Sequence, residues 1–283
     1  MQFKDLGLSA PILQAINEHG YTNPTPIQAQ SIPAVLNGGD LLAAAQTGTG
    51  KTASFTLPVL QRLLDSVKAS TSHRKQVRGL ILTPTRELAA QVHASVQTYG
   101  KYTKLKSAVI FGGVGANPQI KAIQNGLDIL VATPGRLLDL MGQGAISLQG
   151  IEILVLDEAD RMLDMGFMPD VERICAALPS ERQTLLFSAT LDSNIKRIAS
   201  EILHQPQTIE VTPQTQKHEN IEQRLHYVDD MAHKNKLLEH LLIDPEVNQT
   251  IIFTSTKRHA DVLADDLYAA GHRTAALHGD MTQ

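Results

Sequence analysis

Short apolar runs and amphipathic segments alternate along the first two hundred residues of the chain. The apolar runs are "DLLAAA", "RGLILT", "KSAVIF", "DILVAT", "IEILVLD", "QTLLFS" and "QTIEV". Between them, segments such as "TRELAAQVHASVQTYG" carry apolar residues at spacings of three and four, which is typical of an amphipathic helix. Strands separated by enough residues for a crossover helix indicate parallel βαβ units with both sheet faces covered. The pattern therefore predicts an α/β fold built on a parallel sheet.

This alternation breaks near "HQPQTIEVTPQTQKHEN", a polar stretch with two prolines and no helical period, which predicts a linker. It resumes with three strand-like runs, "IEQRLHYVD", "QTIIFTST" and "RTAALHG", and two helical ones. The second series is shorter than the roughly 100 to 150 residues of a typical domain. We predict a first domain over residues 1–207, a linker over 208–219 and an incomplete second domain over 220–283, poorly ordered, swapped or dependent on a partner.

Composition narrows the class of protein. The chain has 283 residues, of which 42% are hydrophobic, enough for a globular core. Its single cysteine excludes an internal disulfide, and no charged-then-apolar leader precedes "MQFKDLGLSA". The apolar runs are far shorter than the roughly 20 residues that span a bilayer. We therefore expect a cytoplasmic protein with no membrane contact. Because the net charge is −4, binding of nucleic acid would require a local basic face.

The stretch "AAAQTGTGKT", residues 43–52, is typical of a phosphate-binding loop. Lys51 and Thr52 stand in register with the pattern G-x-x-x-x-G-K-[ST], while Ala45 occupies the place of its first glycine. The stretch also follows an apolar run and precedes a helical one, as such a loop requires. Backbone N–H groups from Gly48 onward would surround a phosphate at the helix N-terminus. Lys51 would neutralise phosphate charge and Thr52 would bind Mg²⁺.

A second candidate site is "ILVLDEAD", residues 153–160, an apolar strand that ends in three acidic residues. In parallel sheets, ligands bind at the carboxyl edge, where these side chains would lie. Asp157 is placed to hold Mg²⁺ through water, and Glu158 to accept a proton from a water that attacks the γ-phosphate. An acidic cluster alone is equally typical of a solvated helix start. Its pairing with the phosphate loop favours a catalytic site formed by Glu158, Asp157 and Lys51.

Nine short motifs, including the two already described, follow one another along the chain. They are "GYTNPTPIQ" (20–28), "AQTGTGKT" (45–52), "PTRELA" (84–89), "GG" (112–113), "TPGR" (133–136), "DEAD" (157–160), "SAT" (188–190), "IIFTST" (251–256) and "LHGDMTQ" (277–283). This series resembles the DEAD-box ATP-dependent RNA helicases, with closest similarity to the bacterial RhlE-type members, and covers essentially the whole chain. The resemblance includes the alanine of the phosphate loop. It implies a RecA-like domain of the P-loop NTPases followed by an incomplete second RecA-like domain, with ATP and Mg²⁺ bound.

The resemblance also implies roles for individual residues. An amide such as that of Gln28 can both donate to and accept from the Hoogsteen edge of adenine, and an upstream aromatic ring can stack on the base. The implied nucleotide-binding residues are Phe3, Tyr21, Gln28, Gln46, Thr47, Gly48, Thr49, Gly50, Lys51 and Thr52. The residues implied to bind RNA are Thr85, Arg86, Gly113, Thr133 and Arg136, through backbone contacts that carry no sequence preference. Ser188 and Thr190 are implied to couple the acidic site to RNA binding through hydrogen bonds to Asp160.

Members of this family continue beyond the last motif present here to an arginine-rich motif that reaches the γ-phosphate. An arginine finger contributes roughly 10³ to 10⁵ in rate to related phosphoryl transfers. We therefore expect the chain as given to bind ATP and Mg²⁺ but to hydrolyse ATP slowly, whereas its parent protein would unwind short RNA duplexes locally. The alternatives are a non-catalytic nucleotide- or RNA-binding fragment and a DNA helicase. The nucleic acid that activates hydrolysis distinguishes them.

Overall fold

The structure is a computed structural model that describes residues 1–46, 48–66, 76–211, 222–245 and 247–281. The chain divides into two compact units, Met1–Lys217 and His218–Gln283. None of the described helices is long and apolar enough to cross a membrane.

The first unit contains seven strands and nine α-helices among its described residues, preceded by a 3₁₀ helix at Phe3–Leu6. The strands are β1 (Leu41–Ala44), β2 (Gly79–Leu82), β3 (Ser107–Ile110), β4 (Ile129–Ala132), β5 (Ile153–Leu156), β6 (Gln183–Ser188) and β7 (Gln207–Glu210). The helices are α1 (Ala10–Glu18), α2 (Pro26–Leu36), α3 (Lys51–Asp65), α4 (Arg86–Tyr99), α5 (Ala116–Gln124), α6 (Pro134–Gly142), α7 (Ala159–Asp164), α8 (Met168–Ala176) and α9 (Ser193–Ile202). Each of the seven apolar runs quoted for this part of the chain forms a strand.

The strands pair in the order β3-β4-β2-β5-β6-β1-β7, and all pairs are parallel. The predicted α/β fold with a parallel sheet is therefore confirmed. The edge strand β7 occupies the first three residues of the predicted linker, because Ile209 is buried against the core beside β1. The predicted limits of the two domains stay a prediction.

Two hydrophobic clusters cover the two faces of the sheet. Alternate residues of each central strand enter opposite clusters, so that Val155 packs with α1 to α4 and Leu156 with α6 to α9. The rings of Phe55 and Phe187 meet in the first cluster, with centroids 5.1 Å apart. Because both faces are buried, the central strands β1, β2, β4 and β5 are apolar throughout instead of alternating with polar residues.

In the second unit, the described residues form α10 (Met231–Leu242) and α11 (Lys257–Ala269) and no strand. The expectation of three strands in this part of the chain was therefore wrong. A strand needs a hydrogen-bonded neighbour, and the residues described here form no ladder. Apolar side chains of the three strand-like runs are exposed instead of packed: Leu225, Tyr227, Ile251, Phe253 and Leu277.

Candidate functional site

The strand order divides the predicted motifs between two halves of one sheet edge. The phosphate loop follows β1, the acidic stretch follows β5 and "SAT" lies at the end of β6, and these three strands are neighbours. The motifs "PTRELA", "GG" and "TPGR" follow β2, β3 and β4, which are neighbours in the other half. All strands are parallel, so both sets lie at the carboxyl edge, where ligands of α/β proteins bind.

The phosphate loop has the backbone that anion binding requires. Gly48 and Gly50 have φ angles of +82° and +88°, in the left-handed region that favours glycine. Gly50 is also the N-cap of α3, so the loop ends where the helix dipole is positive. Thr49 braces the turn, because its hydroxyl donates to the carbonyl of Gln46 at 2.7 Å. The predicted residue Thr47 lies outside the described residues.

Ala45 explains why this loop does without its first glycine. Its N–H donates to the carbonyl of Ser188 at 3.1 Å, continuing the ladder between β1 and β6. Among the described non-glycine residues only Glu158 and Gln205 have positive φ, so the backbone at Ala45 is one that alanine adopts without strain. The position extends the ladder by one residue beyond β1 and does not require glycine.

Lys51 is a buried cation at the start of α3. Lys51 is only 7% exposed, and its Nζ atom has no hydrogen-bond partner among the described residues. A buried ammonium without a partner is costly, because desolvation is not offset by an ion pair. Its position beside the helix N-terminus makes an anion the group that would satisfy it.

Asp157 is the buried acidic counterpart of Lys51. It follows β5, is 2% exposed, and its Oδ1 has no hydrogen-bond partner among the described residues. The pKa of this carboxyl is raised to about 7, chiefly by burial; the attraction of Lys51 opposes the rise, and the negative charges of Glu158 and Asp160 add to it. The ionised form of Asp157 therefore lacks sufficient positive charge around it. A cation placed at Oδ1 would supply that charge.

Glu158 adopts an unusual backbone conformation. Its φ and ψ angles are both 53°, in the left-handed region, and it is the N-cap of α7. Such a conformation costs a non-glycine residue roughly 1 to 3 kcal/mol and is concentrated at functional sites. One of its carboxylate oxygens, Oε2, forms an ion pair with Arg161, whose Nη1 lies 3.4 Å away. The strain is therefore located at the residue predicted to act as the general base.

Asp160 joins the acidic stretch to the end of β6. Its Oδ2 accepts the backbone N–H of Ala189 at 3.0 Å. The expected hydrogen bonds from Ser188 and Thr190 to Asp160 are not among the contacts of the described residues. Instead, the Oγ of Ser188 accepts the N–H of Thr190 at 3.4 Å. The two motifs are in contact through a backbone donor and not through the two hydroxyls, and the coupling role of these residues stays a prediction.

The predicted adenine residues differ in their burial and contacts. Gln28 is 7% exposed and ties α2 to the phosphate loop, because Oε1 accepts the N–H of Thr25 at 2.9 Å and Nε2 donates to the carbonyl of Gly50 at 3.1 Å. Phe3 is 6% exposed and belongs to the hydrophobic core, whereas Tyr21 is 53% exposed. Only Gln28 is thus seen to contact the phosphate loop. The stacking of Phe3 on a base stays a prediction.

Four of the five predicted RNA-binding residues line one pocket of about 540 Å³ at the other half of the edge. The predicted residues in its wall are Thr85, Arg86, Thr133 and Arg136. Its other members fall into two groups: Pro84, Glu87, Gly112 and Gly135 belong to the quoted motifs without an assigned role, and sequence reasoning did not identify Asp139, Met165 and Phe167. Met165 and Phe167 follow the acidic stretch closely, which is the signal that could have placed them here. Thr85 is also the N-cap of α4, and its hydroxyl accepts the N–H of Leu88 at 3.2 Å.

Two arginines point into this pocket from different helices. The guanidinium of Arg86 lies over the ring of Phe111, 5.5 Å from its centroid, and directly beside Gly113, where a Cβ atom would collide with it. Arg136 donates from Nη2 to the carbonyl of Val114 at 3.0 Å, while its Nη1 is buried without a hydrogen-bond partner among the described residues. Gly113 thus lies next to the pocket and not in its wall. Two fixed guanidinium groups suit the oxygens of a phosphate.

This combination of a parallel sheet, a glycine-rich loop with a buried lysine, and carboxylates at a neighbouring strand defines the class of P-loop nucleoside triphosphatases. The family model described as DEAD/DEAH box helicase matches residues 25–198 of this chain. The chain belongs to this family.

Individual relatives give the same result. The chain is 41% identical to the DEAD-box ATP-dependent RNA helicase RhpA of Helicobacter pylori over 282 residues, 99% of this chain and 55% of that protein. It is 41% identical to the DEAD-box ATP-dependent RNA helicase CshA of Bacillus cereus over 281 residues, 99% of this chain and 52% of that protein. The chain thus spans about half the length of the curated relatives it matches. The RhlE-type subgroup stays a prediction.

A solved structure also resembles the fold. The crystal structure of a DEAD box protein from the hyperthermophile Methanococcus jannaschii superposes with a TM-score of 0.68 at 38% identity, covering 100% of this chain and 74% of that one.

Proposed function

We propose that this chain carries the ATP-binding part of an ATP-dependent RNA helicase that couples ATP binding and hydrolysis to local unwinding or remodelling of RNA duplexes. The observation that carries the proposal is that Lys51 and Asp157 are both buried at the same edge of the sheet. Each has a buried side-chain atom without a hydrogen-bond partner among the described residues, and they lie at one sheet edge with opposite charges. Phosphates would satisfy the first and a cation the second. The relatives at 41% identity are named as ATP-dependent RNA helicases.

Each residue at this edge has a chemical role in hydrolysis. The N–H groups from Gly48 to Thr52 would hold the β-phosphate, and Lys51 would neutralise charge on the β- and γ-phosphates. Glu158 would accept the proton of the attacking water, since a carboxylate positioned by a fixed backbone is an effective base. Asp160 would connect this site to the strand end at Ala189.

The donor set also fits Mg²⁺. Such ions are held by one or two carboxylates together with substrate phosphates and water, and Asp157 and the hydroxyl of Thr52 provide oxygen ligands of that kind. The buried Oδ1 of Asp157 without a partner is the observation that favours this assignment. When bound, Mg²⁺ would neutralise charge on the phosphate oxygens.

Selection of ATP would depend on Gln28. The amide has one donor and one acceptor position left after its bonds to Thr25 and Gly50, because each end of an amide can form two hydrogen bonds. Those positions can address the adenine edge. The same amide touches the phosphate loop, so recognition of the base and of the phosphates would be linked. Phe3 and Tyr21 complete the proposed pocket.

RNA would bind at the other half of the edge, through its backbone and without sequence preference. The pocket that contains Arg86 and Arg136 offers guanidinium groups, which recognise phosphates and carry no base code. Hydroxyls at Thr85 and Thr133 and the backbone at Gly113 suit the ribose and phosphate oxygens. Ser188 and Thr190 would couple the halves. A cytoplasmic location, where ATP and RNA meet, is part of the proposal.

Steady-state ATP hydrolysis with single-stranded RNA, with single-stranded DNA and without nucleic acid tests this function. The matched pair of variants is Glu158→Gln, at the proposed base, and Asp164→Asn, at an exposed carboxylate of the same short helix. Hydrolysis that is slow, as expected for this chain, but rises with RNA, persists in Asp164→Asn and disappears in Glu158→Gln supports the proposal. ATP binding without hydrolysis supports a nucleotide-binding module instead, and equal activation by DNA supports a helicase of the other substrate class. Absence of ATP binding refutes the assignment of the loop.

A further inference from the structure

One short loop connects both arginines of the proposed RNA site. It comprises residues 111–115, between β3 and α5, and we call it the β3–α5 loop. The guanidinium of Arg86 stacks on the ring of Phe111 and packs against Gly113. Arg136 donates to the carbonyl of Val114 at 3.0 Å. The orientation of two guanidinium groups that arise from different helices therefore depends on where this loop lies.

A single buried amide holds both ends of the β3–α5 loop. Gln119, on α5, accepts the N–H of Phe111 through Oε1 at 3.2 Å and donates from Nε2 to the carbonyl of Phe111 at 3.1 Å. The same Nε2 lies 3.4 Å from the carbonyl of Gly115. Because β3 is an edge strand, the chain that follows it has a free side, and Gln119 serves there as a substitute for a neighbouring strand.

The burial of Gln119 is unusual for its helix. It is 9% exposed and is the one buried residue of α5, while the apolar residues Ile120 and Ile123 are only partly buried. An amphipathic helix normally buries its apolar residues, and a polar group is buried where it forms hydrogen bonds. Packing of α5 alone would favour an apolar residue at this position. The amide at position 119 is therefore explained by what it binds.

We propose that Gln119 is a positioning residue for RNA binding: it fixes the β3–α5 loop so that Arg86 and Arg136 present their guanidinium groups in one arrangement. The inference rests on the proposed function, because it assigns RNA to the pocket that these arginines line. Gln119 does not touch RNA in this scheme. Its amide is needed because one terminal group must accept from and donate to the same backbone residue, which neither a carboxylate nor an apolar side chain can do.

Equilibrium binding of a fluorescent single-stranded RNA by the whole chain tests the proposal. Gln119→Met keeps the length of the side chain and removes all three hydrogen bonds. We expect RNA affinity to fall roughly tenfold, because RNA binding must then supply the free energy that orders the loop, on the order of one to two net hydrogen bonds. The control is Gln124→Met, an exposed glutamine on the same helix, for which affinity should stay within about twofold of wild type. Gln119→Asn, which keeps an amide too short to hold both ends, is the second variant if Gln119→Met does not fold.

A double-mutant cycle separates positioning from general destabilisation. If Gln119 acts through Arg136, the combined loss in Gln119→Met/Arg136→Ala is clearly smaller than the product of the two single losses, because coupled residues are not additive. Losses that multiply in full overturn the proposal. So does unchanged RNA affinity in Gln119→Met while wild type binds, an outcome that leaves the proposed function intact. A wild-type chain that binds ATP but no RNA at any salt concentration refutes the proposed function itself.

Discussion

The raised pKa of Asp157 makes a quantitative prediction about stability. Replacing this residue by asparagine removes a buried carboxyl and leaves a neutral side chain of nearly the same shape. In the folded protein the pKa of Asp157 is about 7, against 3.8 for an exposed aspartate, chiefly because of burial. Between these pH values the folded state keeps a proton that the unfolded state has released. The free energy of unfolding therefore falls as the pH rises through this window.

The size of the effect follows from the two pKa values. At about 1.4 kcal/mol for each tenfold change in proton affinity, a pKa raised from 3.8 to about 7 destabilises the folded state by about 4 kcal/mol above pH 7. The attraction between Asp157 and Lys51 is already included in the raised pKa. For a unit of this size, 1 kcal/mol moves the melting temperature by roughly 2 to 4 °C. Asp157→Asn should thus melt roughly 10 °C above wild type at pH 8 and at the same temperature near pH 4.

The assay is thermal unfolding followed by circular dichroism from pH 4 to pH 8.5, without nucleotide and with a chelator present. The control is Asp164→Asn, which removes one carboxylate from an exposed position of α7 and should follow wild type at every pH. Melting curves of Asp157→Asn and wild type that stay parallel over the whole pH range would contradict the reasoning, because they would show that the ionised carboxylate is not destabilised by burial. ATP hydrolysis should be lost in Asp157→Asn at every pH.

Three further predictions concern single side chains. Lys51→Met should weaken ATP binding roughly 100-fold by calorimetric titration, because it removes the charge proposed to neutralise the phosphates; unchanged ATP affinity would exclude its role. Gln28→Glu keeps the acceptor for Thr25 but loses the donor to Gly50, so ATP affinity should fall about fivefold or more in competition assays, with GTP less affected; equal losses for both nucleotides would contradict adenine recognition. Arg136→Lys loses the bond to Val114 but keeps its charge, so RNA affinity should fall roughly fivefold with an unchanged salt dependence, whereas Arg136→Ala should lower the slope by about one; equal slopes in both variants would exclude a phosphate contact.

The fold of the first unit could be predicted from sequence because its pattern is local. Seven apolar runs form seven strands, and the motifs "AQTGTGKT", "PTRELA", "GG", "TPGR", "DEAD" and "SAT" each lie where one of these strands ends. The structure, and not the sequence, explains the alanine at position 45, because its N–H continues the ladder between β1 and β6. The pattern did not reveal the order of the strands, which depends on pairing between distant segments. That order is what separates the nucleotide half of the edge from the other half.

The failures have a common physical cause. In the second unit, alternation of apolar residues predicted strands around Tyr227, Phe253 and Leu277, but a strand exists only with a neighbour, and these side chains are exposed. In the first unit, the side chains of Ser188 and Thr190 were expected to bind Asp160, whereas the backbone N–H of Ala189 does so. A sequence motif shows which side chains are present, but it does not show which contacts the backbone forms.

Gln119 was missed for a related reason. In "ANPQIKAIQ" two glutamines stand among alanines and isoleucines, and nothing in the sequence distinguishes the buried Gln119 from the exposed Gln124. Ile120 and Ile123 are only partly buried against the core, so the apolar residues of α5 do not single out Gln119 as the buried position. Only the three-dimensional contacts identify which amide binds the loop.

The strand order also explains why nucleotide and RNA could influence each other. β5 carries the acidic stretch and is bonded on one side to β6 and on the other to β2, which leads to "PTRELA". The N–H of Asp157 donates to the carbonyl of Leu82, the last residue of β2, at 2.9 Å. The proposed Mg²⁺ ligand is thus bonded directly to the strand that leads to Thr85 and Arg86. A shift of this carboxylate on nucleotide binding would act on the RNA half through one strand, with no intermediate element required.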